Sequence, residues 1–246
     1  MIVGLLHPGE MGAAVGGALA TAGHEVVWAS EGRSEATAAR AASFRDVRSI
    51  AEVCACAEVV FSIAPPHAAL DVAHSLREFG GIVVDANAIA PATAAQVGAL
   101  VTRFVDGGIV GGPEAPRLYL SGGEAEAVAP LFAGSVVGTE IVGNASAVKC
   151  AYAAWTKGTA AMLLAIRDFA RAEGVEDALV AEWARSQPQL ETRLAGAERS
   201  ADAKGWRWIG EMEEIARAFA ADGLPSGFHE AAAEVYRATP RSGGRR

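Results

Sequence analysis

A glycine pair behind an apolar run, a lysine inside an alanine-rich stretch and an asparagine after a second apolar run are the residues whose types and spacing carry chemistry in this chain. The first run ends in Gly4-Leu5-Leu6-His7-Pro8-Gly9-Glu10-Met11-Gly12. This is close to the dinucleotide fingerprint G-x-G-x-x-G. There the first glycine makes the tight turn, the second lets backbone approach a pyrophosphate and the third lets the following helix pack closely. Gly9 and Gly12 fill the second and third positions, and His7 stands in the first. Histidine tolerates unusual backbone better than branched residues do, and Pro8 fixes the next φ, so the turn is expected to form. The helix behind it would offer unpaired N–H groups and the positive end of its dipole to a phosphate. A plain strand-turn-helix is the competing reading. Placement in the first βα unit, followed at the expected spacing by Glu25-Val26-Val27-Trp28, favours a cofactor lined by His7, Pro8, Gly9, Glu10, Met11 and Gly12.

The residues after that second run choose the cofactor. A carboxylate there accepts from an NAD ribose hydroxyl, whereas arginine and serine accommodate the NADP 2′-phosphate. The chain offers Ser30-Glu31-Gly32-Arg33-Ser34. Ser30, Arg33 and Ser34 read as a phosphate clamp and favour NADP; Glu31 keeps NAD as the alternative, and Ser34 has a second reading as a helix cap.

A hydride carried by a nicotinamide leaves the protein one proton to exchange with the substrate, so a single acid/base suffices. Lys149 lies among Ala145, Ala147, Val148, Ala151 and Ala153 at the start of a long helical stretch. A lysine snorkelling to solvent is the bland reading of such a residue. Asn87 follows Gly81-Ile82-Val83-Val84-Asp85, where open α/β sheets bind ligands. Lys157, two helical turns beyond Lys149, is expected to face solvent.

These residues need elements to hold them. From residue 1 to about 142, short apolar runs alternate with alanine-rich stretches, which predicts a parallel sheet with helices on both faces. After Gly143 the strand signal stops. The rest reads as helices broken at Gly174, Gln187-Pro188, Gly205 and Gly223-Leu224-Pro225, beginning with one long helix over 145–173. The expected fold is therefore α/β: an N-terminal Rossmann-type doubly wound sheet over 1–143, an all-α domain for substrate and dimerisation over 144–240, and a flexible tail over 241–246. Trp208, Met212, Ile215 and Phe219 recur at helical spacing and read as core. Arg207 with Glu211, and Glu213 with Arg217, read as i,i+4 surface pairs. Trp206, Tyr152 and His229 are weaker pocket candidates, and a lone histidine such as His229 is more often structural.

Composition narrows the classes. The 246 residues are 51% hydrophobic and carry a formal charge of −8, which suits a well-filled core and disfavours nucleic acid as partner. The N-terminal run has neither the flanks of a signal peptide nor the length of a membrane span. Cys54, Cys56 and Cys150 form no disulfide framework and no metal pair, which suits a reducing cytoplasm and buried structural thiols, with no metal site expected.

The Gly9-Glu10-Met11-Gly12 turn, Pro65-Pro66, Asp85-Ala86-Asn87 with Pro91, Gly111-Gly112 and Lys149 resemble, in order and spacing, the β-hydroxyacid dehydrogenase and 6-phosphogluconate dehydrogenase superfamily. The likeness covers roughly the first 170 residues. The segments around Ser186-Gln187-Pro188 and Trp206 to Glu214 resemble its bacterial branch with a phosphogluconate-dehydrogenase-like C-terminal domain of uncharacterised function. The resemblance implies that Pro65, Pro66 and Ala68 lie beside the cofactor and that Asn87 lies near the nicotinamide and substrate. It further implies that Gly111 and Gly112 offer N–H groups to a substrate anion and that Lys149 exchanges the proton. Two departures loosen a carboxylate substrate: Val110 replaces the usual serine, and Tyr152 or Ala153 replaces an asparagine. The expected function is a cytoplasmic, homodimeric NADP-dependent oxidoreductase acting on a small hydroxy or carbonyl compound in a cleft between its domains. The alternatives are an imine reductase and a non-catalytic NADP-binding module; a Rossmann methyltransferase is disfavoured by the second domain.

Overall fold

The computed structural model describes residues 1–239; the expected tail over 241–246 lies outside the described residues. Two compact units divide the chain, Met1–Cys150 and the residues from Ala151 onward.

The first unit strings together β1 (Ile2–Leu6), α1 (Glu10–Thr21), β2 (Glu25–Trp28), α2 (Glu35–Arg40), β3 (Arg45–Asp46), α3 (Ile50–Cys56), β4 (Val59–Ser62), α4 (Ala69–Ser75), β5 (Ile82–Asp85), α5 (Pro91–Gly98), β6 (Phe104–Val110), β7 (Arg117–Ser121), α6 (Ala125–Val128) and β8 (Gly138–Ile141). One sheet in the order β3-β2-β1-β4-β5-β6-β7-β8 holds all the strands. Alternate residues of each central strand feed opposite layers. Val3, Leu5, Phe61 and Val84 meet Val15 and Leu19 of α1, while Leu6, Val60 and Val83 meet Val53 of α3 and Val72 of α4. Both faces are thus covered, as parallel strands require.

The sheet departs from all-parallel once. β6 and β7 pair antiparallel, Gly108 opposite Tyr119, because the connection 111–116 is too short for the crossover that a parallel neighbour needs. β7 and β8 return to parallel pairing.

Helix α7 (Ala145–Ala172) begins in the first unit and continues into the second, which adds α8 (Glu176–Ser186), α9 (Gln189–Ala221) and α10 (Gly227–Ala238). Gly205, read from sequence as a break, lies inside α9. A Cβ there would stand 3.4 Å from the Tyr236 ring, so the glycine seats α10 on α9. Met212 and Ile215 are fully buried, as their spacing predicts.

The surface-pair expectations on α9 are corrected. Lys157 is largely buried rather than solvent-facing: it pairs with Glu211 and lies 5.5 Å from the centre of the Trp208 ring. Glu213 pairs with Arg237 of α10, Arg217 pairs with Glu214, and Arg207 lies over Trp206. Packing against α7 and α10 gives Glu211 and Glu213 partners across helices, and the Glu211 pair lies in a drier site than the exposed helix face that i,i+4 reasoning assumes.

Candidate active site

Strands β1, β2, β4, β5 and β6 are mutually parallel, so their carboxyl ends share one edge of the sheet. Sequence order reverses direction between β1 and β4, which opens a crevice at that edge. The residues singled out from sequence in this unit converge there.

After β1, His7 adopts left-handed backbone at φ 62, the conformation a glycine would take without cost. Its carbonyl accepts from Gly9 N–H at 2.6 Å. A Cβ on Gly12 would stand 2.7 Å from the same carbonyl, so Gly12 serves the turn itself. The close helix-to-sheet packing falls to Gly16, where a Cβ would stand 2.7 Å from Leu5 and from Phe44. A Cβ on Gly9 would meet nothing nearer than 3.9 Å, which leaves its outer side open to a ligand. No side chain caps α1, so the N-terminal N–H groups of the helix have no side-chain competitor for a phosphate.

After β2, the three members of the expected clamp separate. Ser34 accepts from Thr37 N–H at 3.3 Å and caps α2. Ser30 hydrogen-bonds Asp46 and holds that carboxyl below its usual range. Arg33 alone keeps its head uncommitted: its Nε is buried with no hydrogen-bond partner, and burial lowers its pKa. Nearby, Arg40 reaches the carbonyl of Pro8 at 3.5 Å. Two observations therefore fit a dinucleotide: the open face of the glycine turn and an orphaned guanidinium nitrogen at the end of β2. A nucleotide with a 2′-phosphate would be held by the Gly9–Gly12 turn, the start of α1 and Arg33.

After β4, Pro65 is exposed and Pro66 and Ala68 are half-buried in a 3-10 turn that precedes α4. After β5, Asn87 is 2% exposed and every polar atom of its amide is engaged. Oδ1 accepts from Ala64 N–H at 2.5 Å, and Nδ2 donates to Asp85 at 2.7 Å and to Ser62 at 3.2 Å. The side chain thus ties the end of β5 to the end of β4 and holds the strand exit that presents Pro65 and Pro66.

After β6, Gly111 and Gly112 are exposed, Gly111 at φ 99, while Val110 is buried. Lys149 is half-buried and donates from Nζ to the Ile109 carbonyl at 2.9 Å, two residues before Gly111. A set of groups that sequence reading missed fixes this lysine. Asp106 accepts from Ser146 N–H at 2.8 Å, from the Ser146 hydroxyl, and from Ser121 Oγ at 3.0 Å. Ser121 accepts in turn from Ala145 N–H at 3.0 Å. A carboxylate at the start of α7 satisfies its free donors and complements its dipole, so the first turn of the helix, and Lys149 with it, is pinned to β6. The signal available in the sequence was an aspartate within a strand that is otherwise buried, a rare placement for an unpaired charge. Tyr152 lies in the second unit, and His229 is buried there against Phe219, at 4.4 Å between ring centres.

Residues 2–89 match the family model described as NADP oxidoreductase coenzyme F420-dependent, and residues 170–239 match a domain of unknown function, DUF1932. A conserved protein of unknown function, described as structurally similar to 3-hydroxyacid dehydrogenases, is 28% identical over 96% of each chain at a TM-score of 0.71. Mycobacterium tuberculosis 3-hydroxyisobutyrate dehydrogenase shares the fold at 18% identity, covering 96% of this chain and 92% of its own, at a TM-score of 0.70. A reductive aminase from Aspergillus terreus, solved with NADPH and ethyl levulinate, shares it at 18% identity over the same proportions and a TM-score of 0.59. No curated protein matches the chain.

The class is that of the NAD(P)-dependent oxidoreductases. Within it, residues 2–89 are similar to an NADP oxidoreductase domain and residues 170–239 to the DUF1932 domain, and the chain has the fold of the 3-hydroxyacid dehydrogenases. Among the described residues no helix is long and apolar enough to cross a membrane.

Proposed function

We propose that the protein transfers a hydride between NADP and a small hydroxy or carbonyl compound, with Lys149 as general acid and base. The observation that carries this reading is the placement of Lys149 Nζ, bonded to the Ile109 carbonyl on the strand that delivers Gly111 and Gly112 to the rim. The bound nicotinamide supplies the hydride. The chain supplies the rest. Gly9 to Gly12 and α1 hold the pyrophosphate, Arg33 takes the 2′-phosphate, and Pro65 and Pro66 border the nicotinamide. Gly111 and Gly112 offer N–H groups to the substrate. In the reducing direction, Lys149 would give a proton to the substrate oxygen; in the other direction it would take the proton back. With its amide engaged inside the fold, Asn87 acts by holding the β4 exit.

Val110 supports imine reduction as a second reading. It is apolar and buried where a hydroxyl is expected, which weakens recognition of a substrate carboxylate. An NADPH oxidation assay against carbonyl and cyclic-imine panels separates the two readings. Lys149→Met is expected to abolish turnover and leave NADPH affinity within a few-fold of wild type. Unchanged turnover removes the role given to Lys149, and cofactor binding without turnover on either panel favours a non-catalytic binding module.

We also propose a homodimer that uses α7. Tyr152, Trp155, Met162, Ile166 and Phe169 are exposed at three-, four- and seven-residue steps along one face. Such a seam matches the spacing by which helices pair.

A further inference from the structure

The turns after β1 and β2 leave two buried polar atoms without hydrogen-bond partners, Nδ1 of His7 and Nε of Arg33. The strands that deliver them are neighbours, with Leu5 and Trp28 in register. The two groups also sense each other. Burial first and the Arg33 charge second hold the His7 imidazole neutral, at a pKa of about 4. Of the other elements at this turn, α1 brings Glu10 and α2 brings Arg40, whose side chain reaches the carbonyl of Pro8. The β4 exit, Ile63-Ala64-Pro65-Pro66, brings no ionisable side chain.

An unpaired buried polar atom is costly, and two orphaned atoms in adjoining turns point to a missing shared partner. The guanidinium can only donate, and a neutral imidazole nitrogen donates or accepts according to tautomer. A group that satisfies both is an anion with several acceptor oxygens, and a phosphate monoester meets that description. Bringing it beside the ring offsets the Arg33 charge and favours the imidazolium. Holding a histidine in left-handed backbone is unfavourable where a glycine would fit freely, which gives the side chain something to account for.

We propose that His7 is, together with Arg33, a ligand of the NADP 2′-phosphate, and that it takes up a proton from solvent as the phosphate binds. His7 then sets the preference for NADP from the place where the fingerprint carries a glycine. This inference rests on the reading of the chain as an NAD(P)-dependent oxidoreductase. The proton balance is simple: the free site holds neutral imidazole, the loaded site holds imidazolium against the phosphate, and the proton comes from buffer.

Isothermal titration of the full chain with NADPH and with NADH, in buffers of different ionisation enthalpy between pH 6 and 8, reads that proton directly. Wild type is expected to take up a fraction of a proton with NADPH and none with NADH, and to bind NADPH more tightly as pH falls, relative to His7→Gly and His7→Asn. Both variants suit left-handed backbone. They are expected to bind NADH as wild type does, to lose roughly ten- to a hundredfold in NADPH affinity, the scale of a charge-assisted hydrogen bond, and to lose the proton uptake. If wild type binds both nucleotides and either variant keeps the same NADPH affinity and proton uptake, the role of His7 is overturned while the oxidoreductase reading stands. If well-folded wild type binds neither nucleotide, both are overturned.

Discussion

Asp85 and Asp106 are register partners on the adjacent parallel strands β5 and β6. Asp106 is held by the start of α7 through Ser146 and by Ser121, whereas Asp85 accepts from two N–H groups of Asn87. Burial, and then the neighbouring Asp106 charge, raise the Asp85 pKa from 3.8 to about 7. A carboxyl whose folded pKa is raised contributes stability that is complete below its unfolded pKa and is lost as pH climbs through the folded one. The melting-temperature advantage of wild type over Asp85→Asn should therefore be largest near pH 4 and shrink steadily up to about pH 7.5. Other carboxylates are common to both proteins and cancel. Calorimetric scans across that range check it, and a pH-independent difference contradicts the assignment.

Gly12 and Gly108 are two places where a methyl group would strike backbone at the site. At Gly12 it meets the His7 carbonyl at 2.7 Å, and at Gly108 the Ala145 carbonyl at 2.5 Å. Gly12→Ala should distort the phosphate turn and weaken both NADPH and NADH by tenfold or more. Gly108→Ala should displace the first turn of α7, lowering kcat while leaving nucleotide affinity near wild type. Each should cost about 1–3 kcal/mol of stability, as overpacking does. Binding titrations and steady-state kinetics on the two variants distinguish these outcomes.

In the second unit, the Tyr236 hydroxyl donates to the Lys157 carbonyl at 2.6 Å beneath the Trp208 ring, and burial pushes its pKa up. Tyr236→Phe removes a buried bond. The expected loss is about 1–3 kcal/mol in urea unfolding, with the slope unchanged. A loss under about 0.5 kcal/mol would mean that water replaces the bond.

Phe169 is 66% exposed on the apolar face of α7. Phe169→Glu should convert a dimer to monomer in sedimentation velocity without changing the far-ultraviolet spectrum. A wild-type protein that sediments as a monomer at micromolar concentration refutes the dimer.

Patterns with a local cause were readable in the chain itself. Alternating apolar and alanine-rich segments determined the doubly wound sheet and the helical second half, because burial on both faces demands continuous apolar strands. The turn from His7 to Gly12 was legible because its chemistry depends on residues adjacent in sequence. What the tertiary structure alone decided are pairings between distant positions. Examples are Ser30 with Asp46 and Ser34 with its own helix, which leave Arg33 uncommitted, and Asn87 bonded to Ala64, Ser62 and Asp85. Asp106 anchors the helix that carries Lys149, and Lys157 is drawn out of solvent by Glu211. A polar side chain goes to whichever partner the fold brings within hydrogen-bond reach once water has been excluded, and neither residue type nor spacing records which partner that will be.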